Sequence, residues 1–132
     1  MKIAVTSEGK TLEAQADPRF GRCPFFVIVD SESLEFEALE NEAVGAAGGA
    51  GVQAAQAVAG KGVQAVITGQ AGPNAFQALH AAGVEVYTGA SGTVKDVLED
   101  FKAGKLNKTG APTVGSHFGM GGRGGGGGNR RR

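Results

Sequence analysis

Apolar residues along this chain come in short runs separated by glycine-rich breaks, and the period of the runs changes part-way along. "KIAV" (2–5) is an apolar run ended by "TSEGK", which predicts a buried strand. "FFVIV" (25–29) is continuous enough to predict a strand covered on both faces. In "SLEFEALE" (33–40), Leu34, Phe36 and Ala38 alternate with Glu35 and Glu37, which predicts a strand with one wet face. "DSES" between these two is short enough for an antiparallel hairpin. From residue 45 the period becomes helical. "VQAAQAVAGKG" puts Val52, Ala55, Val58 and Ala59 on one face and stops at Gly60 and Gly62. "VQAVIT" (63–68) and "VEVYT" (84–88) predict strands. Between them "PNAFQALHAAG" predicts a helix with Pro73 in its first turn and Gly83 at its end. "TVKDVLEDFKAG" places Val94, Val97, Leu98 and Phe101 on one face, with Thr93 and Asp96 spaced as a capping box and Gly104 as the stop.

"VITGQAG" (66–72) and "VYTGASG" (86–92) repeat at a shift of 20 residues, each ahead of a helix. Successive strand–glycine loop–helix units imply parallel strands, and the hairpin adds antiparallel pairing. The predicted class is α/β with a mixed sheet. After Leu106 no period survives, and the last 23 residues hold ten glycines. Such a segment buries too little apolar area to offset its ordering entropy. A domain of 1–106 and a disordered, basic, glycine-rich tail of 107–132 are therefore expected.

Charge sharpens this division. The 132 residues carry zero formal net charge, but residues 1–100 hold all 13 acids against six Lys or Arg, while 101–132 hold seven Lys or Arg and no acid. An acidic body with a basic appendage follows. A single cysteine excludes an internal disulfide and a four-cysteine zinc site. "MKIAVTSEG" lacks the apolar core of a signal peptide, and no run is long enough to span a membrane, so a cytoplasmic protein with no membrane partner is expected.

The candidate chemistry lies in the loops. Glycine loops at 45–51, 69–72 and 89–92 each follow a strand and lead into a helix. In an open α/β sheet such loops share one edge, where ligands bind. Helix starts there expose unpaired N–H groups, and glycine lets a ligand approach the backbone. Gly48, Gly49, Gly51, Gly69, Gly72, Asn74, Gly89, Ser91, Gly92 and Thr93 would form a cup for an anion. "DPRFGRCPFFVIVD" (17–30) would supply its rim through Arg19 and Arg22; Cys23 is either a thiolate favoured by the adjacent positive charge or a small packed residue. The bland alternative is that each loop is a plain strand–helix connection. "GAGVQA" (49–54) fits a relaxed dinucleotide pattern, but no Asp or Glu lies between Glu42 and Glu85 to hold a ribose, so no nucleotide is expected.

Taken in order, "DPRFGRCPFFVIVD", "GGAGVQAAQ", "VITGQAGPNAFQAL" and "GASGTVKDVLEDFKAGKL" resemble the dinitrogenase iron–molybdenum cofactor biosynthesis family over nearly all of residues 1–106. The resemblance implies a ribonuclease-H-like three-layer fold with a five-stranded mixed sheet in the order 3-2-1-4-5. It implies carriage of an anionic metal–sulfur cluster, either an iron–molybdenum cofactor precursor or the molybdenum–copper sulfide cluster of the orange-protein subgroup, and protein partners in cofactor delivery. Nitrogenase carriers of this family use histidine or cysteine contacts to the cluster. Here that leaves Cys23, His80 and His117 as metal-ligand candidates, with Met120 beside the last.

Catalysis is not expected. Two-metal phosphoryl chemistry needs convergent carboxylates, and the acids cluster in "LEFEALENE". Two histidines give little scope for acid–base work. A second function class stays open: "GGRGGGGGNRRR" could contact nucleic acid or a protein, and nucleic-acid binding of this kind falls steeply with salt.

Overall fold

The computed structural model describes residues 1–45 and 49–110. Strands β1 (Lys2–Ser7), β2 (Phe25–Asp30) and β3 (Phe36–Glu40) precede helix α1 (Ala50–Ala59). They are followed by β4 (Ala65–Ile67), α2 (Pro73–Ala81), β5 (Glu85–Thr88), α3 (Val94–Lys102) and β6 (Asn107–Thr109). A 3-10 turn, Glu42–Gly45, lies between β3 and α1. The strands form one mixed sheet in the order β3-β2-β1-β4-β5-β6. β1 runs antiparallel to β2, from Lys2 opposite Asp30 to Ser7 opposite Phe25, and parallel to β4, with Ile3 opposite Ala65.

The central strands read as unbroken apolar runs because both of their faces are covered. Ala4, Phe26, Ile28, Val66 and Val86 pack in one layer with Ala54, Ala55 and Val58 of α1 and Ala75, Phe76 and Leu79 of α2. Ile3, Val5, Val27, Val29, Ala65 and Ile67 pack in a second layer with Val94, Val97 and Leu98 of α3. The result is three layers, with α1 and α2 on one face of the sheet and α3 on the other. Fully buried side chains such as Leu79 contribute about 1.5–3 kcal/mol each.

The sheet has six strands where five were expected. β6 pairs antiparallel with β5, Tyr87 lying opposite Lys108, so residues 107–109 belong to the sheet and not to the tail. Lys108 Nζ reaches Glu85 Oε2 at 3.0 Å, and Tyr87 Oη donates to Glu85 Oε1 at 3.1 Å. "NKT" carries no apolar signal because this edge strand faces largely outward. Residues 111–132, which include His117 and Met120, lie outside the described residues, as does Gly48.

The wet-faced strand also has the opposite phase. Leu34 is in the turn at φ 63, its amide donating to the Asp30 carbonyl at 2.9 Å. Phe36 is 44% exposed. Leu39, opposite Phe26, is the residue that turns inward. Phe36 and Ala38 lie on the α3 side at an edge that α3 does not cover, so alternation alone chose the wrong face. The Thr93–Asp96 capping box on α3 is present as expected.

Candidate functional site

β1, β3, β4 and β5 point the same way, so their carboxyl ends share one edge, and the amino end of β2 meets them there because Ser7 pairs with Phe25. The segment "DPRFGRC" crosses this edge. Its course is set by polar anchors. The Asp17 amide donates to the Thr6 carbonyl at 2.9 Å and the Gln70 amide to the Pro18 carbonyl at 2.9 Å. Thr6 Oγ1 donates to the Asp17 carbonyl. Asn41 Nδ2 donates to the carbonyls of Gly21 (3.2 Å) and Cys23 (2.7 Å), while its Oδ1 accepts from the Ala43 amide. Thr6, Asp17, Asn41 and Thr68 are all buried, which is affordable because each finds a partner.

This strap lies against the starts of α1 and α2. An added Cβ on Gly69 would sit 2.7 Å from Pro18, one on Gly21 would sit 3.2 Å from the Gly51 backbone, and one on Gly51 would sit 3.0 Å from Ala75. Only small residues let the three segments converge. Between them is an open cleft of about 280 Å³ lined by Arg19, Phe20, Gly21, Gly51, Gln70, Gly72, Pro73, Asn74 and Ala75. Both helices start on glycine, Gly49 for α1 and Gly72 for α2, and neither start has a side-chain cap. The first amides of α1 and, since Pro73 has no N–H, those of Asn74 and Ala75 in α2 are therefore left without a side-chain cap at the positive helix ends.

Arg19 is the cation of the cleft. Its side chain is 58% exposed, yet Nε and Nη2 donate to Asp17 Oδ1 and Oδ2 at 3.1 and 3.0 Å, and its backbone amide donates to Oδ1 at 2.8 Å. Burial opposes ionisation of Asp17, but the Arg19 hydrogen bonds and charge outweigh it and hold the carboxyl below its ordinary value. The same contacts raise Arg19, which stays a cation.

Of the expected cup, Arg19, Gly51, Gly72 and Asn74 meet at the cleft, and Gly69 backs it by admitting Pro18. Gly49 is the α1 cap, in the left-handed region at φ 73. Arg22 is exposed and does not line the cleft. The third loop does not line this cleft. Gly89, Ser91, Gly92 and Thr93 reach the same edge, but α3 crosses to the other face of the sheet. Its first amides, of Val94 and Lys95, already donate to Ala14 and Leu12 at 2.8 Å. Gly92, at φ 96, serves the turn into that helix.

Of the two readings of Cys23, the structure has the packed one. It is fully buried, Sγ contacts the Phe20 carbonyl at 3.2 Å, and burial pushes the thiol up to about 12. Burial disfavours a thiolate here, and Arg22, its sequence neighbour, is exposed while the cysteine is in the core. His80 stacks on Phe76 at 5.8 Å in the last turn of α2, about 7.5 Å along the helix from Ala75, the nearest α2 residue of the cleft lining. Among the described residues no group of three or more His, Cys, Asp and Glu is placed to hold a metal ion.

Asp17, Phe20, Gly21, Asn41, Thr6, Thr68 and Gln70 escaped the sequence reading. The signal that could have found Asp17 was "DPR", because an aspartate commonly accepts from the amide two residues on.

Fold and cleft together define an α/β domain with a donor-lined, cation-bearing pocket at one sheet edge. The chain belongs to the family described as dinitrogenase iron-molybdenum cofactor, whose model matches residues 1–104. It is 34% identical to an uncharacterized protein of Methanocaldococcus jannaschii, over 82% of this chain and 91% of that one. Its fold matches the apo form of the orange protein from Desulfovibrio gigas with a TM-score of 0.83 at 40% identity, covering 86% of this chain and 96% of that one. A NifB-like protein of Thermotoga matches with a TM-score of 0.75 at 37% identity, covering 86% and 97%. Membership implies a cofactor-related binding or carrier role and association with a metal cluster. No helix among the described residues is long and apolar enough to cross a membrane.

Proposed function

We propose that this protein is a non-enzymatic carrier or store for a preassembled anionic metal–sulfur cluster, held in the cleft between the starts of α1 and α2. The cargo class is an iron–molybdenum cofactor precursor or a molybdenum–copper sulfide cluster. The observation that carries the proposal is the convergence of two uncapped helix starts and the fixed Arg19 on one open cleft. Sulfide and thiometallate sulfurs accept hydrogen bonds from backbone N–H groups, and the positive helix ends stabilise the negative charge. Such a guest needs no coordinating side chain, which suits the lack of a three-ligand group among the described residues.

The same residues speak against catalysis. The Asp17 carboxylate beside the cleft is occupied by Arg19, His80 lies at the far end of its helix, and among the described residues the cleft lining includes no histidine or carboxylate to act as a general base. The layers suit a ribonuclease-H-like relation, and the proposal includes it, without the convergent carboxylates that nuclease chemistry requires. Residues 111–132 would contact the recipient of the cluster, and the setting would be the cytoplasm.

The test is uptake by the purified full chain of tetrathiomolybdate with copper(I), followed by visible charge-transfer absorbance and elemental analysis. Removal of residues 111–132 should leave uptake intact. Loss of uptake on that truncation alone, with the domain still folded, would favour the interaction-module alternative acting through the basic end.

A further inference from the structure

The geometry points to Asp17 as the positioning residue that presents Arg19 to an anion in the cleft, acting through the guanidinium and not on the anion itself. This rests on the cleft being the binding site. Asp17 is 1% exposed, yet both of its carboxylate oxygens go to one exposed arginine. Nε and Nη2 take Oδ1 and Oδ2 in a fork, and the Arg19 amide takes Oδ1 as well. A fork of this kind fixes the plane of the guanidinium as well as its distance. It uses Nε–H and one Nη2 proton, which leaves the Nη1 pair and the second Nη2 proton without an acceptor among the described residues.

The backbone of Asp17 is itself anchored to the ends of the neighbouring strands. Its amide donates to the Thr6 carbonyl at the end of β1, its carbonyl accepts from Thr6 Oγ1, and that hydroxyl lies 3.0 Å from Thr68 Oγ1 beyond the end of β4. Next along the chain, Arg19 bridges to Gln70, a residue lining the cleft. An arginine on a surface loop ordinarily gives up rotamer freedom when it binds. Here that cost falls on the folded chain before any ligand arrives, so the donor edge of Arg19 is oriented in advance. An aspartate serving the turn alone would need only the Arg19 amide. The side-chain fork is what extends its reach to the ligand.

The experiment is a double-mutant cycle on the full chain, read by equilibrium binding of tetrathiomolybdate from its visible spectrum. Asp17→Asn and Arg19→Gln should each weaken binding about tenfold. The double variant should be no weaker than Arg19→Gln, because Asp17 acts only through Arg19. A measurement on the unsubstituted, ligand-free chain needs no variant to fold: the Arg19 Nε–H resonance should exchange with water more slowly than that of an unstructured arginine. Additive losses in the double variant, or an Arg19 Nε–H that exchanges freely, would overturn the proposal. Full binding by Asp17→Asn while Arg19→Gln loses it would overturn the positioning role and leave the cleft standing as the site. Absence of binding by the unsubstituted chain would overturn both.

Discussion

Gly69→Ala perturbs the contact on which the cleft depends. The added methyl carbon would lie 2.7 Å from both Cα and Cβ of Pro18 and 2.9 Å from its carbonyl oxygen. Carbon atoms in good contact sit about 3.5–4.0 Å apart, so Pro18 would have to retreat by about 0.8 Å or more. It cannot do so freely, because its carbonyl accepts the Gln70 amide at 2.9 Å and Asp17 before it is tied to Thr6. Overpacking of this sort costs about 1–3 kcal/mol, and a weakened Gln70–Pro18 hydrogen bond adds about 1 kcal/mol. A destabilisation of about 2–4 kcal/mol follows, within the roughly 5–15 kcal/mol that holds a domain together. Arg19 would move with Pro18, so tetrathiomolybdate binding should fall as well. Gly62→Ala separates the two effects. Gly62 has φ 77 and nothing within 4 Å of an added Cβ, so it should lose about 1–2 kcal/mol through backbone strain and keep full binding. The chain has no tryptophan, so urea unfolding is best followed by far-ultraviolet circular dichroism. Stability within about 0.5 kcal/mol of the unsubstituted chain, together with unchanged binding by Gly69→Ala, would refute the convergence of strap and loop.

Three further outcomes follow from the same geometry. Asp17 has a folded pKa below its ordinary 3.8, so its contribution is present above pH 3.8 and is lost as pH falls towards the folded value. The stability gap between the unsubstituted chain and Asp17→Asn, measured by urea midpoints from pH 6 to pH 3, should therefore close on acidification. A gap that stays constant would contradict the ion pair. Cys23, with its thiol pushed up to about 12 and fully buried, should resist an aromatic disulfide reagent at pH 8 and react fully in urea. Rapid labelling of the native chain would show the thiol to be exposed. Thr93→Ala should cost about 1 kcal/mol through loss of the α3 cap and leave tetrathiomolybdate binding unchanged, since α3 opens away from the cleft. A loss of binding would restore the third loop to the site.

The layered fold was legible because its determinants are local. "KIAV", "FFVIV" and "VQAVIT" have the unbroken apolar character of strands covered on both sides, and Pro73, Gly83, Thr93 and Gly104 punctuate the helices where the structure places their ends. β6 was illegible because a polar edge strand is recruited by pairing with β5 and by the Lys108–Glu85 contact, neither of which leaves an apolar trace. The phase of β3 failed for a related reason: whether Phe36 or Leu39 turns inward depends on how far α3 extends, which is a tertiary fact.

At the site, the glycine loops and Arg19 announced themselves, but which helix starts converge is a matter of which sheet face each helix packs on. The repeat that relates 66–72 to 86–92 is real in the chain, yet α2 and α3 depart to opposite faces, and only the first helps to line the cleft. Cys23 could be read either as a thiolate or as a packed residue, because adjacency to Arg22 in sequence says nothing about burial. Asn41 and Thr68, single polar residues far from "DPRFGRC" in the chain, act only once the sheet brings them to it.

The most direct measurement is amide chemical-shift mapping of the full chain at saturating tetrathiomolybdate with copper(I). Amides of Gly21, Gly51, Asn74 and Ala75 and the Arg19 side chain should shift together, with 89–93 unmoved. Shifts confined to 89–93 or to residues beyond 110, with Gly51, Asn74 and Ala75 silent, would contradict a guest held between the two helix starts.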